Sequence, residues 1–387
     1  MNILIVAHWK ILKCVSTGDY YMPSTHWAYC DYIRSKKDSL SILCLVESVA
    51  IIPHGFVAVS EDMKIYMLPS YKSYALAYAG LAKYACTLKN IFINEKIDLL
   101  YVRNPDPMSW LPAFIAPSNI QVNYHFVGDS IEATWKSNSS FTYRLTKCFL
   151  YMPEFFLMII SAIFFADKVF CNGPHLCNRL KAFGVKKAVS VVSSTISKKE
   201  MPPLSSDASK NGNKNFLYVG YLRPAKGVSN LLTAFKAASK VFPGISLTIV
   251  GDGESRKDLE EFVNSNKISD VVTFKGHIDD RFELNKIYQT HDFFCFPSFS
   301  EGSPRVVIEA MSNSLVVIST RVGSLPFCFA NDKDIFFTSD FTSAAFVEAM
   351  FYALEKDSDF IGLIRRSAYD KVALKYTKEA FLGEVFS

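Results

Sequence analysis

Charge is scarce in this chain of 387 residues: Asp, Glu, Lys and Arg make up 20 % of it, against 50 % apolar residues. That balance excludes an intrinsically disordered protein, which is poor in apolar residues. Paired cysteine spacings are also missing. The nine Cys stand singly, without a Cys-x-x-Cys, and no His or Cys cluster completes a metal set around the closest pair, Cys171 and Cys177. Reduced core thiols of a cytoplasmic protein are therefore expected, and no metal site. No apolar run reaches the roughly 20 residues a spanning helix needs. The longest, Phe155–Ala166, holds twelve residues between Pro153-Glu154 and Asp167; it reads as a buried helix or as a patch at a lipid interface. Ile3–Ala7 is interrupted at once by His8, Trp9 and Lys10, so it reads as a buried first strand rather than a secretory leader. There is no dense Lys/Arg stripe with interleaved aromatics, which disfavours nucleic acid. Gly-x-Ser-x-Gly and Gly-Lys-Ser/Thr are absent as well.

The charge that is present is uneven. Residues 1–200 hold 21 Lys and Arg against 14 Asp and Glu, a net of +7, whereas residues 201–387 hold 21 against 23, a net of −2. A basic first half suits an anionic membrane face or a pyrophosphate-bearing acceptor, and is equally what a solvated surface would carry.

Along the chain, short apolar runs alternate with stretches of helical spacing. Asn2–Ala7, Ser41–Val46, Leu99–Val102, Gln121–Val127, Lys168–Cys171 and Ala188–Val192 read as strands, with helices between them. Lys198–Asn215 has no apolar period and is rich in Pro, Ser, Lys and Asn, as a linker is. The alternation then restarts with strands at Phe216–Val219, Ser246–Val250, Val271–Phe274, Phe293–Phe296 and Val316–Ser319. Two doubly wound α/β domains follow from this pattern, with ligands expected at the carboxyl ends of strands in a cleft between them. The expected boundaries are 1–197, a linker 198–214, a second domain 215–370, and a C-terminal helix 371–387 packing back on the first domain.

One stretch concentrates the chemistry. Phe293–Phe296 ends at Pro297, a polar turn follows, and Pro304 opens an amphipathic run through Val306, Val307 and Ile308. Proline suits a first helical position, where its missing N–H costs nothing. Gly302 allows close backbone approach, and the amides at Gly302, Ser303 and Arg305 make an anion site at the helix start. Glu301 and Glu309 frame it, with seven residues between them. Carboxylates beside an anion site are reasonable when one ligand carries both phosphate and hydroxyls, since an ionised carboxylate only accepts hydrogen bonds. A nucleotide-sugar fits.

Earlier, Gly220-Tyr221-Leu222-Arg223-Pro224-Ala225-Lys226-Gly227 follows a strand, and its two cations suit a diphosphate. Gly251-Asp252-Gly253 closes the next strand, but Arg256 stands where a dinucleotide fingerprint has its third glycine, which argues against a nicotinamide or flavin enzyme. Asp332-Lys333-Asp334 and Asp357-Ser358-Asp359 have the form used by metal-dependent transferases, yet neither follows a convincing strand, and no metal is expected.

The Glu-Gly-x-Pro with its second Glu before Ala-Met resembles the signature of the family 4 retaining glycosyltransferases. The resemblance is strongest over Phe216–Met311. It implies a GT-B fold of two Rossmann-like domains and transfer of a hexose-type sugar from a nucleotide diphosphate, UDP- or GDP-linked, without a cofactor or metal. The implied acceptor is a glycan or polyprenyl-diphosphate-linked glycan of surface polysaccharide assembly, such as O-antigen, capsule or exopolysaccharide. The implied place is the cytoplasm, at the inner face of the membrane. Lys226 matches the family's phosphate-binding Lys; the family Arg falls on Tyr221, and Arg223 is the candidate substitute. Glu309 takes the ribose hydroxyls. Glu301, with the amides at Gly302–Arg305, would orient the sugar, and Ser303, Pro304 and Val306 would be donor-binding. Gly220, Gly251, Gly253 and His277 line the nucleotide pocket. His125 stands where the family often has a His near the reacting sugar, although a buried structural His fits that position equally well. Asp129 would touch acceptor or sugar hydroxyls, and Gly18 is the sole glycine of the first loop. Thr320–Pro326 resembles a further family turn, with Phe327 where an acid is usual. Two other readings stay open: a non-catalytic partner subunit, favoured by Tyr221, and an NDP-sugar epimerase on the same fold.

Overall fold

The computed structural model describes all residues except 37, 54, 70, 72–73, 136–139, 195, 205–213, 302–303 and 387, and except the side chains of 74–75 and 132–133. It divides into two units, Met1–Val191 with Leu382–Ser387, and Val192–Phe381.

The first unit is built on one sheet, with strands β1 (Asn2–Cys14), β2 (Tyr20–Pro23), β3 (Ser39–Val49), β4 (Phe56–Ala58), β5 (Lys64–Met67), β6 (Leu99–Asn104), β7 (Gln121–Phe126), β8 (Lys168–Asn172) and β9 (Ala188–Val191). Its parallel part runs β5-β3-β1-β6-β7-β8-β9. The winding direction reverses between β1 and β6. Leu4, Val6, Leu100 and Val102 share a core with Leu88 of the Leu81–Asn94 helix and with Phe155, Met158 and Ala162 of the Phe141–Phe164 helix. On the other face Tyr101 packs on Phe386, with ring centroids 4.9 Å apart.

Two expectations change here. The first strand does not stop at Ala7. After a register shift between Val6 and Lys10 it continues beside β3, because Trp9, Ile11 and Leu12 restore a buried apolar pattern. The extension turns back into β2 and β4, which pair antiparallel. The apolar run Phe155–Ala166 is mostly the second half of a longer helix, Phe141–Phe164 of 24 residues, with Pro153 inside it.

The second unit holds a six-stranded parallel sheet in the order β12-β11-β10-β13-β14-β15. These strands are β10 (Asn215–Val219), β11 (Ser246–Val250), β12 (Val272–Gly276), β13 (Phe293–Phe296), β14 (Val316–Ser319) and β15 (Phe336–Phe337). β13 and β14 are buried at every position, as parallel strands covered on both faces must be. Alternation along β10 divides the core. Phe216 and Tyr218 face Leu231 and Phe235, while Leu217 and Val219 face Val307, Met311 and Val372. The winding reverses between β10 and β13.

This unit begins at Val192. The segment from Ile196 to Pro202 is bonded to the unit's own C-terminal segment. Lys378 N–H donates to Ile196 O at 2.6 Å, Ser197 Oγ–H to Glu379 at 2.6 Å, and Tyr369 O–H to Pro202 O at 2.7 Å.

Candidate functional site

Ligands of open α/β sheets bind outside the carboxyl ends of the strands where the winding reverses. In the second unit these are the ends of β10 and β13, and the two loops leaving them are fastened to each other. Phe299 N–H donates to Ala225 O at 3.0 Å. The Lys226 ammonium meets Glu301 Oε1 at 2.5 Å, and Ser298 Oγ–H donates to the same oxygen at 2.8 Å. Thr320, from the turn after β14, donates to Ser298 O at 2.5 Å and braces the loop from below.

Gly227 is what lets the loops touch. It has φ +65°, and a Cβ there would lie 2.2 Å from Pro297 O. Gly251 does the same for the neighbouring strand end, where a Cβ would lie 1.9 Å from Gly220 O. Gly220 and Gly251 are thus drawn together by backbone packing, with Gly220 N–H donating to Val250 O at 3.0 Å and Gly251 N–H to Gly276 O at 2.8 Å. Gly253 backs onto Leu222 in the same way.

The helix after the β13 loop spans Arg305–Ser312, with Pro304 as its N-cap in extended conformation. The expected first helical position for Pro304 is therefore corrected by one residue, since its ψ of 98° is not helical. Val306 is half-buried, and Arg305 reaches Ser193 Oγ at 2.8 Å. Gly302 and Ser303 lie outside the described residues. Glu309, half-buried on this helix, accepts from the Tyr288 hydroxyl at 3.4 Å. Burial, with the Glu309 carboxylate alongside, pushes that hydroxyl well above its ordinary range, so it remains a donor.

Chemically, the site offers a held cation and two acceptors. An ammonium has three N–H donors, so Lys226 can keep Glu301 and still face an anion. Both bonds to Glu301 fall on Oε1, which leaves Oε2 to accept from a ligand. Arg223 is exposed beside this pair and makes no salt bridge among the described residues. Tyr221 is 59 % exposed. His277 is exposed and pairs with Asp279 at 2.9 Å.

The remaining predicted residues lie in the first unit, with structural partners. His125 is buried, its Nδ1 at 2.5 Å from the Tyr101 hydroxyl and its Nε2 at 2.9 Å from Asn172 Oδ1. Burial lowers its pKa to about 4, only partly offset by Asn172, which leaves a neutral ring held on both sides. Asp129 pairs with Arg179 at 2.8 Å. Gly18, with φ +80°, closes the turn from β1 to β2, donating to Cys14 O at 2.9 Å. Of the two Asp-x-Asp patterns, Asp334 is bonded to Ser367 and Lys371, and Asp357 caps the Ser358–Lys375 helix through Phe360 N–H. Tyr288 and Ser298 are the site residues the sequence did not flag, because nothing in their local spacing joins them to the two glutamates.

Residues 205–370 match the glycosyl transferases group 1 family. The second unit belongs to that family. The chain is 36 % identical over 107 residues to an uncharacterized glycosyltransferase of Haemophilus influenzae, which covers 28 % of this chain and 30 % of that protein. In the other curated relatives considered it likewise spans less than two thirds of their length. Whole-chain likeness comes from solved structures. Anabaena Alr3699/HepE in complex with UDP is similar at TM-score 0.65 and 15 % identity, covering 100 % of this chain and 98 % of that one. WaaG, a glycosyltransferase involved in lipopolysaccharide biosynthesis, is similar at TM-score 0.60 and 13 % identity, covering 99 % and 98 %. At such identities the likeness establishes the fold, which is GT-B.

Proposed function

We propose that this chain is a retaining glycosyltransferase that moves a hexose from a nucleotide diphosphate to a hydroxyl of a glycan or polyprenyl-diphosphate-linked glycan. The observation that carries the reading is the Lys226–Glu301 pair, held by Ser298 where the sheet reverses and beside a helix N-terminus. A cation, helix amides and a sugar-accepting carboxylate in one place suit a ligand that is part diphosphate and part sugar. Likeness to a structure holding UDP supports a UDP-sugar donor, and likeness to WaaG, involved in lipopolysaccharide biosynthesis, supports a role in surface polysaccharide assembly.

In this reading Lys226, Arg223 and the first-turn amides take the diphosphate, Glu301 accepts from sugar hydroxyls, and Glu309, steadied by Tyr288, accepts from the ribose. The bond from the anomeric carbon to the phosphate oxygen breaks, and its electron pair leaves with the diphosphate. The acceptor oxygen bonds the same carbon on the same face, and its proton passes to the departing phosphate. Preorganised positive charge lowers the barrier because negative charge grows on the diphosphate as the bond lengthens.

Incubation with labelled UDP- and GDP-sugars, with and without a polyprenyl-diphosphate-linked acceptor, tests this. Nucleotide release coupled to a lengthened acceptor is the expected result. Nucleotide binding without turnover would instead make the chain a partner subunit, and an isomerised donor would make it an epimerase.

A further inference from the structure

The Phe141–Phe164 helix is long and apolar enough to cross a membrane by length and composition. Its inward side is nevertheless bonded to the sheet and the β6 loop. Tyr124 O–H and Ser161 Oγ are 2.5 Å apart, and Glu154 Oε1 accepts from Met108 N–H at 2.8 Å. The outward side carries Leu145, Phe149, Met152, Phe156, Ile160 and Phe164, spaced by three or four residues and therefore in one stripe. All six are exposed, Phe149 to 81 % and Phe164 to 74 %. An exposed apolar stripe of this length on a folded unit marks an interaction surface.

Its charges identify the occupant. The helix has a single acid, Glu154, which is buried and turned inward. Its cations, Arg144 and Lys147, sit together near the N-terminal end, over the rings of Trp135 (5.7 Å) and Tyr143 (4.8 Å). Trp and Tyr with cations at one end of a Phe-rich stripe match the headgroup level of a bilayer, where amphipathic rings and basic groups collect. The other end closes on Phe165 and Phe114, both exposed, with ring centroids 4.5 Å apart. We infer that this helix lies flat on an anionic lipid leaflet, Phe149, Phe156 and Phe164 entering the acyl boundary while Arg144 and Lys147 meet lipid phosphates. The inference rests on exposure and charge alone and stands apart from the transfer reading.

Sedimentation with vesicles of phosphatidylcholine, alone or with a third of phosphatidylglycerol, tests it on the full chain. The expected result is binding that is stronger on the anionic vesicles. The double variant Phe149→Ser, Phe164→Ser should lose about tenfold or more in partitioning to both. Arg144→Gln with Lys147→Gln should lose binding on the anionic vesicles only, by roughly fivefold or more. Phe149 and Phe164 are exposed and Arg144 and Lys147 half-buried, with Arg144 donating to Trp135 O at 2.9 Å, and unchanged far-UV circular dichroism is expected of both variants. Recovery of the wild-type chain in the supernatant with both vesicle types would overturn the inference. Equal pelleting of the Ser variant would do so too, as would a dimer, seen by light scattering, that the Ser variant abolishes.

Discussion

Glu309 takes its meaning from Tyr288. A carboxylate that accepts from a buried hydroxyl at 3.4 Å is oriented before any ligand arrives, and its other oxygen is left for the proposed ribose contact. Replacing Glu309 by Ala should raise the dissociation constant for a UDP-sugar by about tenfold or more, the scale of a lost hydrogen bond to a charged group. Isothermal titration checks this, and an unchanged constant would remove Glu309 from the site. A second residue, Glu154, predicts a pH dependence. Burial lifts its carboxyl to about 7, against an ordinary 4.5. The folded chain therefore holds that proton more tightly than the unfolded one. Its stabilising contribution is complete below pH 4.5 and is lost as pH rises through about 7, by roughly 3 kcal/mol at most. Glu154→Gln cannot ionise, so its melting temperature should gain on the wild type between pH 5 and 8.5. A gap that stays constant across that range would contradict the assignment.

At the scale of elements, the proposed donor site depends on how closely two loops approach. The alternation of apolar runs and helical spacings was enough to foresee two α/β repeats and to place Lys226 and Glu301 in loops after strands and Glu309 in the helix that follows. The first strand was foreseen too short, because His8 and Lys10 break an apolar run that tertiary pairing with β3 and β2 then restores. Nor did spacing show why Gly227 is glycine. Its φ of +65° and the 2.2 Å from a would-be Cβ to Pro297 O are set by a loop more than sixty residues away. Gly227→Ala should therefore cost about 2 kcal/mol or more, from left-handed strain plus the clash. Thermal denaturation should register this as a fall of several degrees in Tm, together with weaker UDP binding. A melting temperature equal to wild type would show that the loops separate freely.

For the whole molecule, each unit has its own core and its own sheet. The predicted donor groups Lys226, Arg223, Glu301 and Glu309 all belong to the second. Scanning calorimetry is expected to resolve two transitions, and UDP at a hundredfold excess over its dissociation constant should stabilise one of them by about 2.7 kcal/mol. Stabilisation of both, or of neither, would contradict a donor site confined to that unit. By itself the sequence determined the repeating α/β plan, the family signature and the identity of the charged groups, because periodicity and short motifs are local properties of the chain. Only the tertiary structure decided that Lys226 is paired with Glu301, that His125 is locked between Tyr101 and Asn172, and which face of the Phe141–Phe164 helix is left without a partner. Each of these depends on residues far apart in the chain meeting in space, which no local pattern records.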